Sequence, residues 1–126
     1  MYSVSEEEFK KIVTEAIDAI PAHYARNIKN LAFVVEDEPS NRQLQRGNIH
    51  PGHTLLGLYE GIPLTKRNSN YTLVLPDKIS IFKRPIEQNS TSLEQLIKVV
   101  RKTVWHEVAH YYGLGHDRIH ELEQPK

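Results

Sequence analysis

The chain has 126 residues, 39% hydrophobic and 25% charged, which suits one globular domain spanning 1–126 and excludes a disordered polymer. Its 16 Lys plus Arg balance 16 Asp plus Glu, so nucleic acid and anionic membranes lack their usual electrostatic pull on it. There is no cysteine, which excludes disulfides and thiolate zinc sites and leaves His, Asp or Glu to hold any metal.

The opening "MYSVSEEEFKK" is acidic and polar, without the apolar core of a signal peptide. No apolar run approaches the roughly 18 residues of a spanning helix. A soluble cytoplasmic protein that touches no membrane is therefore expected. Ser5 with Glu8 three residues on has the form of a capping box. Phe9, Ile12, Val13, Ala16, Ile17 and Ile20 then recur at helical spacing until Pro21 closes the run, as in a scaffold helix packed on a sheet. "LAFVVEDE" is a β-rich apolar run ending in acids and Pro39, which predicts a strand over Leu31–Glu36.

Residues 37–54 show little periodicity and contain the turn-rich "RGNIHPGHT", so they read as a long loop and a candidate lid. "TLLGLY" (54–59), "YTLVL" (71–75) and "KISIF" (78–82) are three further strand candidates. The tight Pro76-Asp77 connection predicts that the last two form a hairpin. Ser92 with Gln95 repeats the capping-box pattern and opens a long helix over about 92–112. At about 100° per residue, Leu93, Ile97, Val100, Val104, Val108 and Tyr111 share one apolar side that should lie on the sheet. Glu94, Lys98, Arg101 and Lys102 fall opposite and should be solvated. Val99, Thr103, His106 and His110 form a second stripe, which core packing alone does not require.

That stripe ends in "WHEVAHYYGLGHDR", residues 105–118. His106 and His110 stand four apart, so on a helix their imidazoles lie one turn apart on one face and can meet one ion. Glu107 is turned by about 100° from His106, beside the ion and not competing for it, where a base for an activated water belongs. Gly113 fits a helix end because glycine readily takes the left-handed cap conformation. A break there, eased by Gly115, brings His116 back as the third ligand and leaves a fourth position open, as in catalytic zinc sites. The bland alternative is a set of ordinary histidines in a His-rich chain, but the added Gly and His make this run far more specific than a bare His-Glu-x-x-His.

Smaller roles are open to other residues. Asp117 could ligate or orient an imidazole, but it reads better as N-cap of a short final helix through "RIHELE". His23, His50, His53 and His120 read as loop or surface residues, and Trp105, Tyr111 and Tyr112 as packing groups. Tyr59 and Arg67 flank "EGIPLTK" and could steady an oxyanion.

Through "VVEDEPS", "LLGLYEGIPLTKR", "LPDKISIFKRPI" and "TVWHEVAHYYGLGHDRI", nearly its whole length, the chain resembles the small bacterial zincin-like metallopeptidases, or minimal zincins. The resemblance implies an α+β fold, a small mixed sheet against the N-terminal helix and the motif helix. It implies His106 and His110 as zinc ligands and Glu107 as general base. The family often carries an acidic residue where this chain has His116. The third-ligand spacing also resembles metzincins, but their methionine turn is excluded because the only methionine is Met1.

The reading is a zinc metallopeptidase holding one Zn²⁺ on His106, His110 and His116, with Glu107 as general base and a peptide or protein as substrate. Substrate is expected to add as a strand along an exposed sheet edge, 79–82 or 55–59. One alternative is a single-strand RNA endonuclease, whose family shares the histidine spacing but lacks the glutamate after the first His. The other is a non-catalytic, metal-stabilised binding module.

Overall fold

In the computed structural model, residues 1–47, 54–62 and 77–114 are described. Among them the sheet has three strands and is organised around the central one. Strand β3 (Asp77–Phe82) lies between β1 (Leu31–Glu36), which runs parallel to it, and β2 (Gly57–Glu60), which runs antiparallel. Residues 79–82 of β3 are fully buried, as expected of a central strand covered on both faces. The expected strand at 71–75 lies outside the described residues. Its hairpin with 78–82 does not form, because β1 and β2 occupy both edges of β3. For the same reason 79–82 is not a free edge. The other candidate edge belongs to β2, which starts at Gly57.

Side-chain alternation separates two faces. Phe33 and Val35 of β1, Ile79 and Ile81 of β3, and Tyr59 of β2 pack into the main core. Two helices cover that face. Helix α1 (Glu6–Asp18) is capped by the Ser5 hydroxyl, which accepts from the Glu8 N–H, and buries Phe9, Ile12, Val13 and Ala16. The long helix α5 (Leu93–Tyr111) buries Leu96, Val100, Val104 and Val108. Leu93 falls on the same side but at the exposed first turn, where it is 39% exposed, so the core stripe begins at Leu96. Between α1 and β1 the short helix α2 (Ala22–Ala25) carries an exposed His23.

Phe82, Leu55 and Leu58 form a smaller cluster. On the second face Lys78 lies 3.7 Å from both Glu36 and Glu60. Arg42 and Arg46 approach Glu60 from helix α3 (Asn41–Arg46). This helix occupies part of the segment expected to be loop. Its signal is a complete capping box, in which Ser40 Oγ accepts from Gln43 N–H and Gln43 Oε1 accepts from Ser40 N–H. Helix α4 (Lys83–Gln88) follows β3 directly, with Pro85 in its first turn, where a proline's missing N–H costs nothing. No helix among the described residues is long and apolar enough to cross a membrane.

Candidate metal centre

Helix α5 holds the motif in place from both ends. At its start Ser92 Oγ accepts from the Gln95 N–H at 3.1 Å. The Gln95 side chain reaches one residue further back than a capping box requires and accepts from Thr91 N–H and Oγ. At its end Gly113 has φ 76°, the left-handed conformation that glycine takes without strain. The Gly113 N–H donates to His110 C=O and the Leu114 N–H to Ala109 C=O, the paired bonds of a Schellman termination. The expected break at Gly113 is therefore present, and the chain leaves the helix three residues after His110. His116, Asp117 and His120 lie outside the described residues, as do the short helix expected after them, His50, His53 and Arg67.

His106 and His110 present their Nε2 atoms to one another at 3.1 Å, with ring centroids 4.7 Å apart and near-perpendicular planes. Two tetrahedral bonds of about 2.0–2.1 Å to one zinc ion would separate their nitrogens by roughly 3.3–3.4 Å. The observed spacing is that of a shared ion to within a few tenths of an ångström, and neutral imidazole is a normal zinc donor. One atom from each of His106, Glu107 and His110 lies within 4.8 Å of the others. By spacing and donor chemistry His106 and His110 fit a zinc ion, with the Glu107 carboxylate beside it.

Glu107 is only 8% exposed because strand β2 lies directly over α5. That approach depends on Gly57. A Cβ there would come 2.7 Å from Thr103 Cγ2, 3.2 Å from the Ser80 carbonyl oxygen and 3.3 Å from Glu107 Cγ. With the strand this close, the Tyr59 N–H donates to Glu107 Oε1 at 3.0 Å. Burial raises the Glu107 carboxyl from its ordinary 4.5 to about 7, with the Tyr59 N–H pulling the other way. A carboxylate with its proton affinity near neutrality, steadied by one main-chain donor, is suited to take and return a proton at neutral pH.

Tyr59 thus contributes its backbone and not the role expected of its side chain. Its hydroxyl donates to Asp77 Oδ2 at 2.6 Å, and its ring packs edge-on to Tyr111. Neither Gly57 nor the Tyr59 amide stood out from the sequence, although a glycine inside a strand pattern is a known sign of close backbone approach. Trp105, Tyr111 and Tyr112 are packing groups, as expected. Tyr111 is fully buried, and its hydroxyl donates to Lys29 C=O and accepts from Lys29 N–H. The Tyr112 hydroxyl donates to Tyr24 C=O, and the Tyr24 ring packs edge-on against Trp105.

Beside His106 and Glu107 opens a cavity of about 430 Å³. Leu55 and Leu56 line it from the segment entering β2, and Val99, Lys102 and Thr103 from α5. The second helical stripe noted in the sequence therefore does face a site: Val99 and Thr103 wall the cavity, and His106 stands at its metal-binding end.

A family model described as zincin-like metallopeptidase matches residues 28–125. No curated protein sequence matches the chain.

Proposed function

The chain belongs to the zincin-like metallopeptidase family, and from that premise we propose that it is a zinc-dependent peptidase whose ligands are His106, His110 and His116 and whose general base is Glu107. The observation that carries the reading is the convergence of two imidazole nitrogens 3.1 Å apart beside a buried carboxylate with no cation paired to it among the described residues. A zinc ion, when bound, supplies Lewis acidity that polarises a carbonyl and brings the pKa of a water to about 7.

The protein's own groups do the rest. His106 and His110 present imidazole nitrogens from one helical face, and His116, three positions beyond the Schellman turn at Gly113, is the proposed third donor. Glu107 accepts the proton of the attacking water and returns it to the leaving amine. The Tyr59 N–H fixes one carboxylate oxygen during both transfers and leaves the other for the proton. The substrate is a peptide or protein, laid along the outer edge of β2 as an added strand. Among the described residues no further strand pairs with that edge, and its Tyr59 N–H is already given to Glu107.

Metal analysis tests the site before any substrate is known. The expected result is one zinc per chain as purified, lost in His110→Ala and bound less tightly in acid, because imidazole ligates a metal only in its neutral form. Absence of a stoichiometric divalent ion, with no uptake on titration, overturns the reading. Comparing His116→Ala with Asp117→Ala assigns the third ligand. A sharp loss of affinity in the Asp117 variant alone would transfer that role to the acid.

A further inference from the structure

We infer that the cavity beside His106 and Glu107 is a selective subsite, taking a large apolar side chain next to the cleaved bond together with a carboxylate held by Lys102. The inference rests on the peptidase reading for the position of the bond, but the selectivity itself follows from the walls. Leu55 and Leu56 supply one side. On the other side stand Val99 and Thr103, and the Thr103 hydroxyl is turned away, donating to the Val99 carbonyl at 2.7 Å. The Thr103 methyl is the part that points toward Gly57. Asn89 also lines the cavity, with its amide N–H given to the Pro85 carbonyl, so away from Lys102, His106 and Glu107 the walls are mainly apolar, which favours an aliphatic or aromatic side chain over a polar one. At about 430 Å³ the space falls within the roughly 300–1,000 Å³ common for ligand sites, enough for a large side chain and the group next to it.

Lys102 supplies the second half of the specificity. The other lysines of α4 and α5 are committed, Lys83 to Glu87 and Lys98 to Glu94. Lys102 lines the cavity, is exposed, and has no acidic partner among the described residues. A lysine so placed lays its methylene stem along apolar surface and keeps its ammonium in water, free for an incoming anion. The acidic group that faces the cavity is Glu107, next to His106. A ligand carboxylate is therefore repelled from that end and drawn toward Lys102. The bound peptide's own C-terminal carboxylate and an Asp or Glu side chain one residue further on are the two sources of such a group.

Short product-like peptides test this on the zinc-loaded, full-length protein by titration calorimetry, with backbone NMR shifts at Leu56, Val99 and Thr103 reporting location. The probes are Leu-Ala, Leu-Ala amide, Leu-Glu amide and Ser-Ala. Leu-Ala is expected to bind at least tenfold tighter than Ser-Ala. Amidation should weaken Leu-Ala about five- to tenfold, Lys102→Gln should weaken it similarly, and the two changes together should cost no more than either alone. Recovery with Leu-Glu amide assigns the carboxylate to a side chain, and no recovery assigns it to the C-terminus. Equal binding of Leu-Ala and Ser-Ala, an amidation effect that persists in Lys102→Gln, or no binding at millimolar peptide overturns the inference. Hydrolysis of a peptide library without these preferences also overturns it but leaves the peptidase reading intact. These binding preferences without hydrolysis of any peptide do the reverse.

Discussion

Among the described residues, Glu87 and Glu107 are buried to nearly the same depth and have opposite surroundings. Glu87, in α4, accepts from the Lys83 ammonium at 3.1 Å and from the Val4 N–H at 2.8 Å, and its backbone carbonyl accepts from Tyr2 N–H. It fastens the N-terminal segment to α4. Glu107, in α5, has one main-chain N–H and two imidazoles for company, and burial raises its carboxyl to about 7. A buried carboxylate with a cation acts as a structural clip. Without a cation, its proton affinity lies where a base is useful. The difference is made by neighbours, not by depth, and it separates the part of the molecule that holds shape from the part proposed to do chemistry.

The sharpest way to break the comparison is to remove the cation from the structural site. Lys83→Met leaves the Glu87 carboxylate buried and uncompensated, a loss of up to about 3–5 kcal/mol by analogy with broken buried pairs. Turnover per folded, zinc-loaded molecule should be unchanged. The double change with Glu87→Met should recover much of the stability, because the unpaired charge is gone. Denaturant unfolding of the three variants measures this.

The second test uses pH on metal-free protein. The Glu107 carboxyl is raised from 4.5 unfolded to about 7 folded. Between those values the folded state therefore binds more protons than the unfolded, and stability falls as pH rises. The shift corresponds to about 3 kcal/mol, absent at pH 4 and fully expressed above pH 7. Glu107→Gln should remove this dependence and stabilise the metal-free protein at neutral pH. A stability profile unaltered by the substitution would contradict the uncompensated burial assigned to Glu107.

A smaller effect is expected at Gly57. Gly57→Ala meets Thr103 Cγ2 at 2.7 Å and the Ser80 carbonyl at 3.2 Å, so β2 must shift away from α5. The cost should be about 1–3 kcal/mol, as for other overpacked sites. Turnover should drop as well, since the Tyr59 N–H moves with the strand. Thr103→Ser removes the nearer obstacle, and combined with Gly57→Ala it should restore part of both losses.

Helices α1 and α5 and strand β1 were legible because each carries its own signals. Ser5 and Ser92 cap the helices, apolar residues keep the helical period, and Leu31–Glu36 is a β-rich run with a clear stop. Helix α3 was overlooked although Ser40 and Gln43 announce it, because six residues are too few to show a period. The hairpin expectation failed because strand pairing is settled by burial across the whole sheet, and proximity along the chain did not predict that β3 would take β1 and β2 as neighbours. At the site, His106, Glu107 and His110 could be read from spacing on a single helix. The Tyr59 N–H could not, since a main-chain donor has no residue type to mark it and the contact spans 48 positions.

The central claim is that Glu107 is the proton-transfer group and not a ligand or a structural acid. Turnover of one identified peptide by wild type and Glu107→Gln, at equal measured zinc occupancy, tests it most directly. Glutamine is nearly isosteric and should leave the fold and the metal in place, while turnover falls about 10²–10⁴-fold, the usual worth of a general base. Equal turnover by the two proteins would contradict the claim.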